Sequence, residues 1–195
     1  MPLNQGAAEQ RTEGGQDRPL VGTPTAKAQP QAATETHDGD ADADAESVAR
    51  TIALRKLTTR AHTRRELDKA LQAKNVPQIV KETVLDRLQE VGLVDDTSFA
   101  ADWVASRQQR RHLSRRALRR ELEAKGVERS DIDSALETVD RDAELATAQE
   151  LVERKQAAMS ALSRDVQQRR LAGLLSRRGF DTAVITQVLS NALHQ

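Results

Sequence analysis

From residue 47 to the C-terminus, apolar side chains recur at three- and four-residue intervals, and no period-two alternation is sustained. That spacing predicts amphipathic helices. No run of Val, Ile or aromatic residues between turn signals points to a strand, so the fold class is all-α. The pattern also repeats. Leu67, Leu71, Lys74, Asn75 and Val76 recur 51 residues later as Leu118, Leu122, Lys125, Gly126 and Val127. They recur after a further 53 as Leu171, Leu175, Arg178, Gly179 and Phe180. Three copies of one unit are thereby predicted.

Each copy has a legible plan. Two leucines four apart share a helix face and form the core stripe of a middle helix. A basic residue in its last turn suits the helix dipole. Asn75, Gly126 or Gly179 follows, residue types that tolerate the left-handed conformation of a helix stop. A third helix then carries Val80, Val84 and Leu88 in copy one, Ile132, Leu136 and Val139 in copy two, and Val184 and Val188 in copy three. A helix also precedes each middle helix. It is marked by Ala49, Ile52, Ala53 and Leu57, then by Phe99, Ala100, Trp103 and Val104, then by Leu145, Ala148, Leu151 and Val152. Thr63-Arg64-Arg65-Glu66 reads as a capping box opening the first middle helix, and Ser114 as the cap of the second. Copy three has Gln167 at that place and puts Gly173 inside the helix, at a cost of about 1 kcal/mol relative to Ala. Asp95 or Asp96 is read as the cap of the helix after Gly92. The expected architecture is three tandem three-helix repeats, over 47–96, 97–142 and 143–195, in an elongated, curved body.

Residues 1–46 differ in kind. They hold three basic side chains against nine acidic ones, a balance of −6, while residues 47–195 hold 27 against 21, a balance of +6. With Met1, Leu3, Leu20 and Val21 as its only large apolar residues, this tail is expected to be disordered and acidic. It serves either as a solubilising segment or as an acidic arm competing with nucleic acid for the basic body.

Composition excludes several classes of function. Cysteine is absent, which removes disulfides, thiolate metal sites and cysteine nucleophiles. The four histidines are scattered, and no phosphate-binding Gly loop, GxSxG or HExxH occurs. No catalytic group, metal or cofactor is expected, and a non-enzyme is. Phe99, Trp103 and Phe180 are the only aromatics, too few for a base-stacking sheet. Phe99 and Trp103 are read as core. No apolar run approaches a membrane span and no apolar leader opens the chain, so a cytoplasmic protein without membrane contact is expected. A long heptad seam is missing, so a monomer is expected.

Chemistry then falls to the arginines. Nine basic residues between Arg107 and Arg129 face three acids. With Leu118 and Leu122 turned to the core, Arg116 and Arg120 point away from it, Arg119 lies to one side and Arg115 flanks the stripe. Acids are sparse on that face, so pairing within the helix does not neutralise it. A repeated basic stripe suits a long polyanion or an acidic groove.

Three stretches carry a resemblance. They are Arg60-x-x-Thr63-x-x-Glu66-Leu67-x-x-x-Leu71, then Gly92-Leu93-Val94-Asp95-Asp96-x-x-Phe99-Ala100-x-x-Trp103-Val104-x-x-Arg107, then Ser114-x-x-x-Leu118-x-x-Glu121-Leu122-x-x-Lys125-Gly126-Val127. Together they resemble the RecX family over residues 47–195. The resemblance implies a regulator that binds RecA, or its filament on single-stranded DNA. Such a regulator inhibits ATP hydrolysis, strand exchange and coprotease activity, and so modulates recombination, DNA repair and the SOS response. It places filament binding on Arg64, Arg65, Arg107, Arg111, Arg115, Arg116, Arg119 and Arg120. Two alternatives stay open. One is an independent DNA- or RNA-binding helical module, with direct contact to single- or double-stranded DNA. The other is a helical adaptor that binds protein through apolar surface.

Overall fold

The computed structural model describes residues 38–193, and among them all regular structure is helical. The helices fall into three sets of three, each closing on its own core. The first set is α1 (Asp38–Leu57), α2 (Arg64–Gln72) and α3 (Gln78–Glu90). Its core gathers Ala49, Ala53, Leu67, Leu71, Val84 and Leu88 with Val94 of the following turn. The second is α4 (Asp96–Arg111), α5 (Arg115–Lys125) and α6 (Arg129–Ala135), around Phe99, Val104, Leu118, Leu122, Ile132 and Leu136. The third is α7 (Arg141–Gln156), a 3-10 turn at Ala157–Met159, α8 (Arg164–Arg177) and α9 (Thr182–Leu193). Its core holds Leu151, Val152, Leu171, Leu175, Phe180, Val184 and Val188. The paired leucines of α2, α5 and α8 are all 0% exposed. Burial of each contributes about 1.5–3 kcal/mol.

Local chemistry sets the ends of these helices. Thr63 Oγ1 accepts from Glu66 N at 3.1 Å, Ser114 Oγ from Ala117 N at 3.2 Å, and Asp95 Oδ1 from Ser98 N at 2.9 Å. Each fills one of the amides a helix start leaves open. The stops at Asn75, Gly126 and Gly179 take positive φ of 57°, 78° and 91°, as their residue types foretell. His112, with φ 47°, ends α4 in the same way.

Three expectations need correction. The acidic stretch 38–46, expected to belong to a disordered tail, is helical. Ala45, Ala49 and Ala53 make a small-residue stripe on the first core, and that packing carries the helix N-terminal to Ser47. Residues 1–37 lie outside the described residues. The third helix of the second set is short. Leu136 and Val139 are buried but lie past its end, because the Arg115 guanidinium takes the carbonyl oxygens of both and closes the turn. Finally, α8 starts at Arg164 rather than beside Gln167. Gln167 is inside the helix and buried, and its Nε2 donates to the carbonyls of Met159 and Leu162 at 3.0 and 2.9 Å. It thereby holds down the connection before the helix.

Candidate protein-binding face

Consecutive repeats meet through their middle helices. The start of α2 abuts the end of α5, where Thr63 Oγ1 donates to the Lys125 carbonyl at 2.7 Å. The start of α5 abuts the end of α8, where Ser114 N donates to the Arg178 carbonyl at 3.1 Å. A positive helix start therefore meets a negative helix end twice, an arrangement favourable to both dipoles. The first helix of each later repeat supplies a further cap. Asp96 Oδ1 accepts from Arg64 N at 2.9 Å, and Glu144 Oε1 accepts from Arg115 N at 3.0 Å. Asp95 and Asp96 thus serve two helices in two repeats, Asp95 its own and Asp96 its neighbour's. Burial pushes the Asp96 carboxyl above its ordinary value, against the pull of the Arg64 amide.

The joint explains a sequence difference. A Cβ on Gly126 would lie 1.9 Å from Cδ and 2.7 Å from Cβ of Arg65, and one on Gly179 2.6 Å from Ser114 Oγ and 2.8 Å from Ala117 Cβ. Both glycines are needed for close approach as well as for backbone angle. Asn75 is exposed and has only the angle to satisfy. From sequence, the Lys-Gly pair reads as a helix stop alone. The change from Asn75 to Gly126 and Gly179 was the available sign of a contact.

Glu66 is the electrostatic centre of the first joint. Lys125 Nζ is 2.8 Å from its Oε1, while Arg60 Nη1 and His62 Nδ1 are 3.1 and 3.2 Å from its Oε2. The capping box is therefore half realised: Thr63 caps, but the carboxylate turns to the cations of Lys125 and Arg60 and to the imidazole of His62. Desolvation opposes its ionisation, and the hydrogen bonds and charges of Lys125 and Arg60 outweigh that and lower it to about 2.

The eight arginines singled out from sequence divide into two groups. Arg64 pairs with Asp86 at 2.6 Å, and Arg119 with Asp133 at 2.6 Å. Arg119 donates to Asp133 and so holds that carboxyl below its ordinary value. Arg115 holds the end of α6. Arg107 Nε is 2.9 Å from Glu121, and Arg111 is 3.5 Å from the same carboxylate. Arg115 is held by carbonyl oxygens, and each of the other four takes its carboxylate from a helix other than its own, a pairing that spacing along one helix does not register. Arg65, Arg116 and Arg120 are exposed, and none pairs with a carboxylate among the described residues. The stem of Arg65 lies over Gly126, leaving its charged end beyond the joint. Arg110 is also exposed and without such a pair, and it was not singled out.

Trp103 is packed rather than offered as a platform. Phe99 stacks on it with centroids 5.6 Å apart, while the Arg107 guanidinium lies 3.8 Å and Lys125 Nζ 4.2 Å from its centroid. Its Nε1 donates to Glu121 at 2.9 Å. This cluster fixes α4 against α5 and carries the ammonium of Lys125 toward Glu66. Among the described residues no helix is long and apolar enough to cross a membrane.

Models of the first, second and third three-helix domains of RecX match residues 49–88, 95–136 and 142–189. The chain belongs to the RecX family. Regulatory protein RecX of Streptomyces coelicolor is 46% identical over 147 residues, which cover 75% of this chain and 78% of the relative. Regulatory protein RecX of Mycobacterium marinum is 45% identical over 145 residues, 74% of this chain and 84% of the relative. The crystal structure of RecX from Lactobacillus salivarius superposes with a TM-score of 0.67 at 19% identity, over 76% of this chain and 97% of that one. A second crystal structure, of regulatory protein RecX, gives 0.65 at 23% identity over 77% and 74%. At these identities the two structures establish a shared RecX fold.

Proposed function

We propose that this chain is a cytoplasmic, non-catalytic regulator that binds the RecA filament on single-stranded DNA. There it inhibits ATP hydrolysis, strand exchange and coprotease activity, and so modulates recombination and repair. The observation that carries the reading is membership of the RecX family through all three repeats, with relatives of matching extent named as regulatory proteins. The free cations fit it. Arg65, Arg116 and Arg120 are exposed and unpaired among the described residues, so they retain charge for an acidic surface. Arg64, Arg107, Arg111, Arg115 and Arg119 support that surface through their pairs, and they contact the filament with whatever edge those pairs leave open. A monomer suffices, since each repeat is closed by its own core.

The test is the DNA-dependent ATPase of RecA from the same source, titrated with this chain at ratios well below one to one. Full-length chain, a version starting at Asp38 and the double variant Arg116→Glu/Arg120→Glu are compared. Inhibition by the first two and at least about tenfold weaker inhibition by the third are expected, a change worth about 1.4 kcal/mol. Full inhibition by the charge-reversed variant would remove the arginines from the interface. No inhibition by any form, with steeply salt-dependent DNA binding in RecA's absence, would establish an independent nucleic-acid module instead.

A further inference from the structure

The third repeat carries a feature that neither its fold nor the joints use. Between the end of α7 and the outer face of α8 lies a pocket of about 670 Å³. Its walls include Lys155, Arg169, Arg170 and Arg177. All four are exposed, and none pairs with a carboxylate among the described residues. Its floor is apolar, built from the half-buried side chains of Met159, Val166 and Leu174.

Gly173 lines the same pocket. A glycine inside α8 costs about 1 kcal/mol relative to Ala. The fold gives no reason for it. Its φ is not positive, and the only atom an added Cβ would meet within 4 Å is Arg177 Nη1, at 3.3 Å. That atom is the tip of a flexible side chain. Gly126 and Gly179, by contrast, are each forced by a close contact. What Gly173 provides is open space beside four uncompensated cations.

We infer that this pocket binds an acidic peptide segment carrying a bulky apolar side chain, presented by the protein partner. Cations at the rim match carboxylates, and the apolar floor matches an aliphatic or aromatic side chain. The volume falls in the range of small-ligand sites and accommodates one or two large side chains. Nucleic acid fits less well, because no aromatic lines the pocket for a base to stack on. This reading deepens the proposed function by giving the third repeat its own anchor. Its test uses no RecA, so the two stand or fall separately.

The experiment measures fluorescence anisotropy of a labelled Glu-Glu-Leu-Phe-Glu-Glu peptide titrated with the full-length chain. A Glu-Glu-Ser-Ser-Glu-Glu peptide and an oligo(dT) strand serve as comparisons. Binding of the first peptide is expected to exceed the second by about tenfold, or about 1.4 kcal/mol. The variant Arg169→Glu/Arg170→Glu is expected to lose that binding while keeping its thermal midpoint. Gly173→Leu fills the pocket and removes the helical glycine, so it is expected to lose binding with an unchanged or raised midpoint. Equal binding of both peptides would reduce the site to unspecific charge attraction and overturn the inference. Undiminished peptide binding by either variant would place the site elsewhere. Preferential binding of oligo(dT), lost on charge reversal, would make the pocket a nucleic-acid site.

Discussion

Lys125 Nζ lies 2.8 Å from Glu66 Oε1, and the two side chains belong to consecutive repeats. The pair sits where the start of α2 meets the end of α5, with Trp103 beside Lys125 and His62 beside Glu66. An ion pair between exposed side chains is worth little. This one is largely enclosed, its side chains 16% and 23% exposed, and it has a second cation in Arg60. The joint between repeats is therefore tied to the ionisation of one carboxylate.

Acid should loosen this joint in a defined window. Glu66 ionises at about 2 in the folded chain against an ordinary 4.5. Its contribution is complete above pH 4.5 and is lost as pH falls from there toward 2. At 1.36 kcal/mol per pH unit, discounted for partial exposure, it amounts to about 2 kcal/mol. His62 acts in the same direction at higher pH. Burial, then the charge of Arg60, lowers its pKa below 6.5, so the unfolded chain takes up the proton first and stability declines as pH drops through that value. Thermal unfolding of wild type and Glu66→Gln between pH 7.5 and 3 checks both. The variant should start less stable and lose less below pH 4.5, and parallel curves there would refute the assignment.

The three helix stops should respond unequally to substitution. Gly179→Ala meets Ser114 and Ala117, both buried, and should cost the most, more than about 2 kcal/mol. Gly126→Ala meets Arg65, whose outer methylenes can swing aside although its Cβ, 2.7 Å away, cannot, and should cost about 1–2 kcal/mol. Asn75→Gly touches no neighbour and relieves a left-handed non-glycine residue, so it should be neutral or stabilising by up to about 1 kcal/mol. Urea denaturation ranks them, and equal costs would mean that close approach is irrelevant.

The arginines of α5 should separate stability from binding. Arg115→Ala removes the donor to the Val139 carbonyl and one of the two donors to the Leu136 carbonyl, which keeps Val139 N, and should destabilise by about 1–2 kcal/mol. Arg119→Ala removes a solvent-exposed pair with Asp133 and should cost less than Arg115→Ala. Arg116→Ala and Arg120→Ala should stay within about 0.5 kcal/mol of wild type. Urea midpoints measure this order, and a large loss at Arg116 or Arg120 would show a structural contact in place of a free cation.

Trp103 offers a spectroscopic check, being the one tryptophan of the chain. Arg107→Ala removes the guanidinium 3.8 Å from its ring centroid and one partner of Glu121. Its emission should shift to the red and become more accessible to iodide while the helical content by circular dichroism is retained. Unchanged emission would mean that the ring is already open to water.

The sequence by itself determined the helical class, the three copies, the leucine pairs of the three cores and the residue types at the helix stops. All of these are local or periodic consequences of side-chain spacing and backbone preference. Tertiary structure alone decided which arginines are spent. Asp133 reaches Arg119 from α6, and the carbonyls that bind Arg115 come from the end of that helix, beyond the reach of a pattern within α5. It also decided that Gly126 and Gly179 are contact points between repeats, that Asp96 caps a helix of the preceding repeat, and that α1 continues back to Asp38 over its alanine stripe. In each case the partner is distant in sequence, and its identity depends on how one three-helix unit seats against the next. The periodicity of a single chain segment carries no record of that seating.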